Sequence, residues 1–265
     1  MKHVLEAWDE LRNRFIDKRL MLFLDYDGTL APIAQTPDKA FLPKTTKTLL
    51  QALAKVPRCK VAIISGRALE DVRRKVTIKN IVYVCNHGLE IEGPGIHFRS
   101  ASSPRLKAAF ECIKDQIKKE LLFFQGSFLE DKDLTLSVHY RLVGDDKVPM
   151  LMNVLKIATN PYVLNKEVCV GAGRKVFEIK PPLGWDKGKA VSWLLTQQKF
   201  ASDKAVTLPI CVGDDVTDED AFAVVKGKGL AIAVGNHESP HAQYYLRDPD
   251  EVRQFLQQTY EFLLN

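Results

Sequence analysis

Apolar residues along this chain gather into short unbroken runs. The stretches 20-LMLFL-24, 61-VAII-64, 81-IVYVC-85, 209-PICV-212 and 229-GLAIAV-234 have strand length and are apolar throughout. Runs of that kind fit strands buried on both faces of a parallel sheet, where neither face has room for polar side chains. Around and between them, 44-KTTKTLLQALAKV-56, 68-ALEDVRRKV-76 and 185-WDKGKAVSWLLTQ-197 read as helices. Strand and helix in alternation predict an α/β fold with a doubly wound, Rossmann-like parallel sheet.

The pattern changes between the third and fourth runs. There, 134-LTLSVHYRL-142 and 174-RKVFEIK-180 alternate, while 104-PRLKAAFECIKDQIKKELLFF-124 and 148-VPMLMNVLKIA-158 read as helices. Alternation with one polar face predicts a mixed or antiparallel sheet carrying helices on its other side. Residues 103–180 are therefore expected to form a small α+β domain inserted into a core built from residues 1–102 and 181–265.

Four of the core strands end on polar or glycine-rich motifs: DYDGT after the first, SGR after the second, GDDVTDED after the fourth and VGN after the fifth. Ligands of open α/β sheets bind at the carboxyl ends of the strands, so these motifs should converge. The convergence would gather Asp25, Asp27, Asp214, Asp215 and Asp218 with Ser65 and Lys187. Five neighbouring carboxylates raise one another's pKa, and a divalent cation relieves that repulsion. Oxygen donors without thiolates suit a hard ion such as Mg2+, bound together with phosphate oxygens. Gly28 allows a sharp turn whose N–H groups can receive an anion. Ser65 and Gly66 offer a hydroxyl and an accessible N–H, and Lys187 offers a point charge. Together these groups describe phosphoryl transfer. Hydrolysis of a phosphate monoester can need an acceleration near ~10²¹-fold, whereas one general acid supplies about 10²–10⁴. The reaction is thus expected to be split, with Asp25 as nucleophile and Asp27 as acid and base.

Composition narrows the partners. The net charge of +5 comes from 38 basic and 33 acidic residues mixed along the chain, so nucleic acid is not indicated. The N-terminal segment MKHVLEAWDELRNRF fits neither a signal peptide nor a membrane span, and no apolar run approaches the ~20 residues a span needs. Cys59, Cys85, Cys112, Cys169 and Cys211 form no C-x-x-C pair and are expected to be reduced core residues of a soluble, cytoplasmic protein.

The motifs DYDGTLAPI, AIISGR, WDKG and GDDVTDEDAF together resemble the haloacid dehalogenase superfamily, whose phosphatases carry a DxDGT nucleophile loop. With NHG at 86–88, LEDKDLTLSVHYR at 129–141 and RKVFEIKP at 174–181, the chain is most similar to the trehalose-6-phosphate phosphatase family. The resemblance implies Asp25 as nucleophile and Asp27 as acid/base. It implies a phosphate site at Gly28, Thr29, Ser65, Gly66, Lys187 and Asn236. Magnesium would be held by Asp25, Asp27 and Asp214, supported by Asp215 or Asp218. The insert is similar to the family's cap, in which Glu130, Lys132, Arg141, Lys175 and Glu178 match positions that grip disaccharide hydroxyls. Lys175 and Glu178 fall on opposite faces of an ideal strand. Either Lys175 lies in the GAGRK turn or one of the two assignments is wrong. The implied activity is hydrolysis of trehalose 6-phosphate; the alternative is a phosphatase or phosphotransferase for another sugar phosphate, such as sucrose 6-phosphate, glucosylglycerol phosphate or mannosylglycerate phosphate. A trehalose-phosphate synthase is the functional partner the resemblance suggests, and a monomer is the favoured state.

Overall fold

The run that ends at Asp25 is a strand flanked on both sides by parallel neighbours. The computed structural model describes residues 1–197, 200, 206–235 and 238–265, and the chain divides into two compact units, 1–99 with 186–265, and 100–185. The first unit begins β1 (Lys2–His3), α1 (Trp8–Asn13), β2 (Arg19–Asp25), α2 (Lys44–Leu53), β3 (Cys59–Ile64), α3 (Leu69–Val76), β4 (Val82–Cys85), β5 (Glu90–Gly93) and β6 (Ile96–Arg99). The second holds α4 (Pro104–Leu121), β7 (Phe128–Asp131), β8 (Leu136–His139), α5 (Val148–Leu164), β9 (Cys169–Gly173) and β10 (Val176–Lys180). The first then resumes with α6 (Lys187–Thr196), β11 (Thr207–Gly213), α7 (Glu219–Val225), β12 (Leu230–Val234), β13 (Tyr244–Leu246) and α8 (Pro249–Leu264).

Among the described residues, the first unit's sheet has the order β1-β13-β12-β11-β2-β3-β4-β5-β6. It is parallel from β1 to β4, and β5 and β6 add an antiparallel edge. Strand β2 shows why its sequence is apolar throughout. Leu20, Leu22 and Leu24 pack into a layer with α1, α2, α3 and α8, while Met21 and Phe23 pack into the opposite layer with α6 and α7. A polar residue at any of these positions would be stranded in one layer or the other.

The second unit's sheet runs β7-β8-β10-β9, antiparallel throughout. Leu136, Val138, Phe177 and Ile179 pack with α4 and α5 around Phe110, Ile113, Ile117, Leu151 and Leu155. Helix α4 starts where Ser103 accepts the Leu106 N–H at 3.1 Å and Pro104 fills the first helical position.

Cys59, Cys85 and Cys211 are buried, but Cys112 and Cys169 are exposed, one facing outward on α4 and the other on the edge strand β9. The expectation that all five are core residues is corrected for those two. Among the described residues no helix is long and apolar enough to cross a membrane.

Candidate active site

Strand β2 lies between β3 and β11, so their C-terminal ends open side by side, with DYDGT, SGR and GDDVTDED following them. After Asp25 the chain folds back at once: the Leu30 and Ala31 N–H groups donate to the Tyr26 carbonyl, and the Gly28 N–H donates to the Ala31 carbonyl at 2.7 Å. Gly28 has φ +84°, and a Cβ there would stand 2.1 Å from Asp214 Oδ2. The turn therefore needs glycine twice, for its backbone angle and for the close approach of the Asp214 carboxylate. That approach is direct evidence that the DYDGT and GDD motifs meet.

Asp25, Asp214 and Asp218 are all buried, with carboxylate oxygens within 4.8 Å of one another. Lys187, the first residue of α6 and also buried, donates from Nζ to Asp25 Oδ1 at 2.8 Å and to Asp218 Oδ1 at 2.7 Å. The other Asp218 oxygen accepts the N–H groups of Asp214 at 3.1 Å and Asp215 at 3.0 Å. Burial pushes the Asp25 carboxyl well above the usual carboxylate range; Lys187 pulls it down, and Asp218 and Asp214 push it further up. Burial also works against the Lys187 charge, but Asp218 and Asp25 outweigh it and hold the ammonium above its ordinary value. With all three carboxylates ionised, as a divalent cation among them would favour, one ammonium leaves two negative charges for that cation to balance. The donor set is all oxygen, and it fits magnesium chemically.

Asp27 and Asp215 stand outside this group. The Asp215 carboxylate caps the single turn Val216–Asp218, accepting the Val216 N–H at 2.7 Å in a reciprocal capping box with Asp218. Both Asp27 oxygens are held by Arg67, with Nε to Oδ2 at 2.6 Å and Nη2 to Oδ1 at 2.8 Å. The SGR motif alone assigns no role to its arginine. The available signal was Asp71 four residues on, across the start of α3, and Arg67 Nη1 does meet it at 2.6 Å.

Ser65 is buried and its Oγ accepts the Arg67 N–H at 3.2 Å. Helix α3 starts later, with Ala68 at its N-terminal boundary, so the Ser65 hydroxyl does not cap it. The NHG turn is latched to the same loop: the Asn86 N–H donates to the Arg67 carbonyl at 2.8 Å and the His87 N–H to the Ser65 carbonyl at 3.2 Å. A Cβ on Gly66 would lie 2.5 Å from the His87 ring, so that glycine is set by close approach. Thr29 is fully buried beside Gly28, and Asn236 lies outside the described residues.

In the second unit, Glu130 pairs across the sheet with Ser137, and Ser137 with Glu178, placing all three in one row on the face opposite the apolar core. Glu130 meets His139 Nε2 at 2.7 Å, and Glu178 meets Lys180 at 2.8 Å. Lys132 Nζ lies 3.9 Å from both Glu130 and Glu178. Lys175 is in the β9–β10 turn with φ +63° and pairs with Asp145 at 2.9 Å, so it does not share the strand face of Glu178. Arg141 donates to the Arg174 carbonyl of that same turn at 2.8 Å. The structure thus brings Glu130, Lys132 and Glu178 together and sets Arg141 and Lys175 at the end of the sheet.

Residues 23–250 match the family model described as trehalose-phosphatase. The chain is 34% identical over 274 aligned residues to trehalose-phosphate phosphatase B of Arabidopsis thaliana, covering 97% of this chain and 71% of that one. Among solved structures, the C-terminal domain of C. albicans trehalose-6-phosphate phosphatase superposes with a TM-score of 0.83 at 26% identity, covering 96% of each chain. A haloacid dehalogenase-like hydrolase from B. subtilis, at 15% identity and a TM-score of 0.57 over 89% of this chain and 98% of that one, shares the fold. The chain belongs to the trehalose-phosphatase family, phosphoric monoester hydrolases built on the haloacid dehalogenase fold.

Proposed function

We propose that the protein hydrolyses trehalose 6-phosphate to trehalose and phosphate in a magnesium-dependent reaction that passes through an aspartyl-phosphate, an acyl phosphate on Asp25. The observation that carries this reading is the buried group of Asp25, Lys187, Asp214 and Asp218 at the carboxyl edge of the sheet. Asp25 Oδ attacks phosphorus as the bond to the sugar oxygen breaks, and Asp27 gives that oxygen its proton. A water molecule then attacks the same phosphorus and passes a proton to Asp27, and the bond to Asp25 breaks to release phosphate. Lys187 neutralises charge on the transferring group, and the Ser65 hydroxyl, the Thr29 N–H, Gly66 and Asn236 hold its oxygens, while Gly28, whose N–H is taken by the Ala31 carbonyl, shapes the turn. Asp25 and Asp214 would hold magnesium, which supplies Lewis-acid neutralisation of phosphoryl charge. Asp218, rather than Asp215, supports that site, since its carboxylate fixes both Lys187 and the Asp214 N–H.

The insert, residues 103–180, sets specificity. Glu130, Lys132 and Glu178, with Arg141 and Lys175, take the sugar hydroxyls, and a site built to hydrogen-bond hydroxyl groups discriminates sharply against sugars that lack them. The protein acts in trehalose synthesis, in step with the synthase that makes its substrate, as a soluble cytoplasmic monomer.

Purified protein with magnesium should release phosphate from trehalose 6-phosphate with a higher kcat/KM than from sucrose 6-phosphate, glucosylglycerol phosphate or mannosylglycerate phosphate. Equal turnover across that panel would remove the specificity claim. Asp25→Asn should abolish turnover, and activity retained by that variant would rule out the covalent route.

A further inference from the structure

We propose that Arg67 is a positioning residue for Asp27: its guanidinium fork fixes the plane and place of the carboxylate that protonates the departing sugar oxygen. The inference rests on the reading of Asp27 as acid and base. Its basis is geometric. One guanidinium takes both Asp27 oxygens, at 2.6 and 2.8 Å, and so constrains the orientation of the carboxylate as well as its distance.

Arg67 itself is fixed from every side. Nη1 donates to Asp71 at 2.6 Å, Nη2 also donates to the Pro37 carbonyl at 3.0 Å, and the guanidinium carbon stands 5.5 Å from the centre of the Tyr26 ring. Its backbone is tied to Ser65 Oγ and to the Asn86 N–H. The Arg67 side chain is 8% exposed and that of Asp27 39%, so the arginine is the anchored partner and the carboxylate the accessible one. Tyr26, the residue between the two aspartates, thereby acquires a function: its buried ring is the floor on which the arginine lies.

A group that aims a general acid matters in proportion to how badly the leaving group needs a proton. A sugar alkoxide needs one as its bond to phosphorus breaks, whereas p-nitrophenolate leaves well without it. Arg67→Lys keeps the charge and loses the fork. Assayed with magnesium, it should lower kcat/KM for trehalose 6-phosphate by about 10–100-fold, the range in which a misplacement of ~1 Å falls. For p-nitrophenyl phosphate the same ratio should fall by less than about threefold, because no general acid is needed there. The ratio reports steps up to phosphoryl transfer onto Asp25, so the later use of Asp27 with water does not enter the comparison.

An arginine with a merely structural role would lower both substrates alike, and an equal loss, or none on either, overturns the inference. Asp27→Asn separates this failure from failure of the underlying reading. If Asp27→Asn shows no leaving-group dependence, the acid/base role of Asp27 falls. If it shows one and Arg67→Lys does not, only the inference about Arg67 falls. Should Arg67→Lys fail to fold, as judged by circular dichroism, Asp71→Asn carries the same test by removing one anchor of the guanidinium. It should give a smaller loss confined to the sugar phosphate, and an equal loss on both substrates overturns the inference.

Discussion

Lys187 is the residue on which the acidic group depends, because it is the cation between Asp25 and Asp218 and is itself out of contact with solvent. Removing one partner of a buried ion pair leaves uncompensated charge and costs about 3–5 kcal/mol. Lys187→Met should therefore lower the urea midpoint of the metal-free protein. The deficit should shrink at acid pH, where Asp25, whose carboxyl is already raised by burial, takes up a proton and relieves the excess charge. Millimolar magnesium should restore part of the loss; if it restores none, the acidic group is not where the cation binds. Asp25, Ser65 and Asp214 were legible as candidates because Asp25 ends β2 and the other two directly follow β3 and β11, whereas Lys187, which opens α6, was singled out by the resemblance that its WDKG motif carries. The division among the aspartates was not legible. Spacing makes Asp27 and Asp215 look equivalent to their neighbours, but Asp27 is held by Arg67, which only the folded chain brings within reach, and Asp215 caps the turn that immediately follows it.

At the scale of elements, a row of polar side chains across three strands recognises a ligand differently from a single residue, since each member holds its neighbour in place. Glu178 is buried and lies between Lys132 and Lys180, so Glu178→Gln keeps the shape and removes the charge that orients two ammonium groups. The expected result is a KM for trehalose 6-phosphate raised about tenfold, the effect of losing ~1.4 kcal/mol of substrate binding, with kcat/KM for p-nitrophenyl phosphate unchanged. A fall on both substrates would move Glu178 from sugar binding to general support of the fold. The central strands were legible because burial on both faces makes their sequences apolar without interruption. Strands β5, β6, β7, β9 and β13 were not, for a physical reason: they are short, lie at or near the edges of their sheets, and carry residues such as Glu90, Glu92 and the CVGAG run that no core dictates. Their places are set by pairing partners, and pairing is a long-range property that local pattern does not encode.

For the molecule as a whole, the same double burial that made the sheet legible sets its response to alkali. Cys59 on β3, Cys85 on β4 and Cys211 on β11 lie inside the first unit. Burial pushes the Cys59 thiol up to about 12 and the thiols of Cys85 and Cys211 well above their ordinary value, with nearby acidic groups adding to the shift for the last two. In the unfolded chain the thiols ionise near the ordinary thiol value, about 8.5–9. Above that pH the unfolded state loses protons that the folded state retains, so the unfolded state is favoured. The stability these thiols contribute is thus complete below about pH 9 and is lost progressively as pH rises toward 12. Urea midpoints measured in reductant should be level from pH 7 to about 8.5 and fall beyond it, in the direction that proton linkage requires. Cys59→Ala removes one of the titrating groups. It should lower the midpoint at pH 7, because a small cavity is left in a packed layer, yet make the fall between pH 9 and 11 shallower than in the parent. Parallel curves for the two proteins would mean that the alkaline loss comes from lysines and tyrosines elsewhere, and that Cys59 is more accessible to solvent than its place between two helical layers implies.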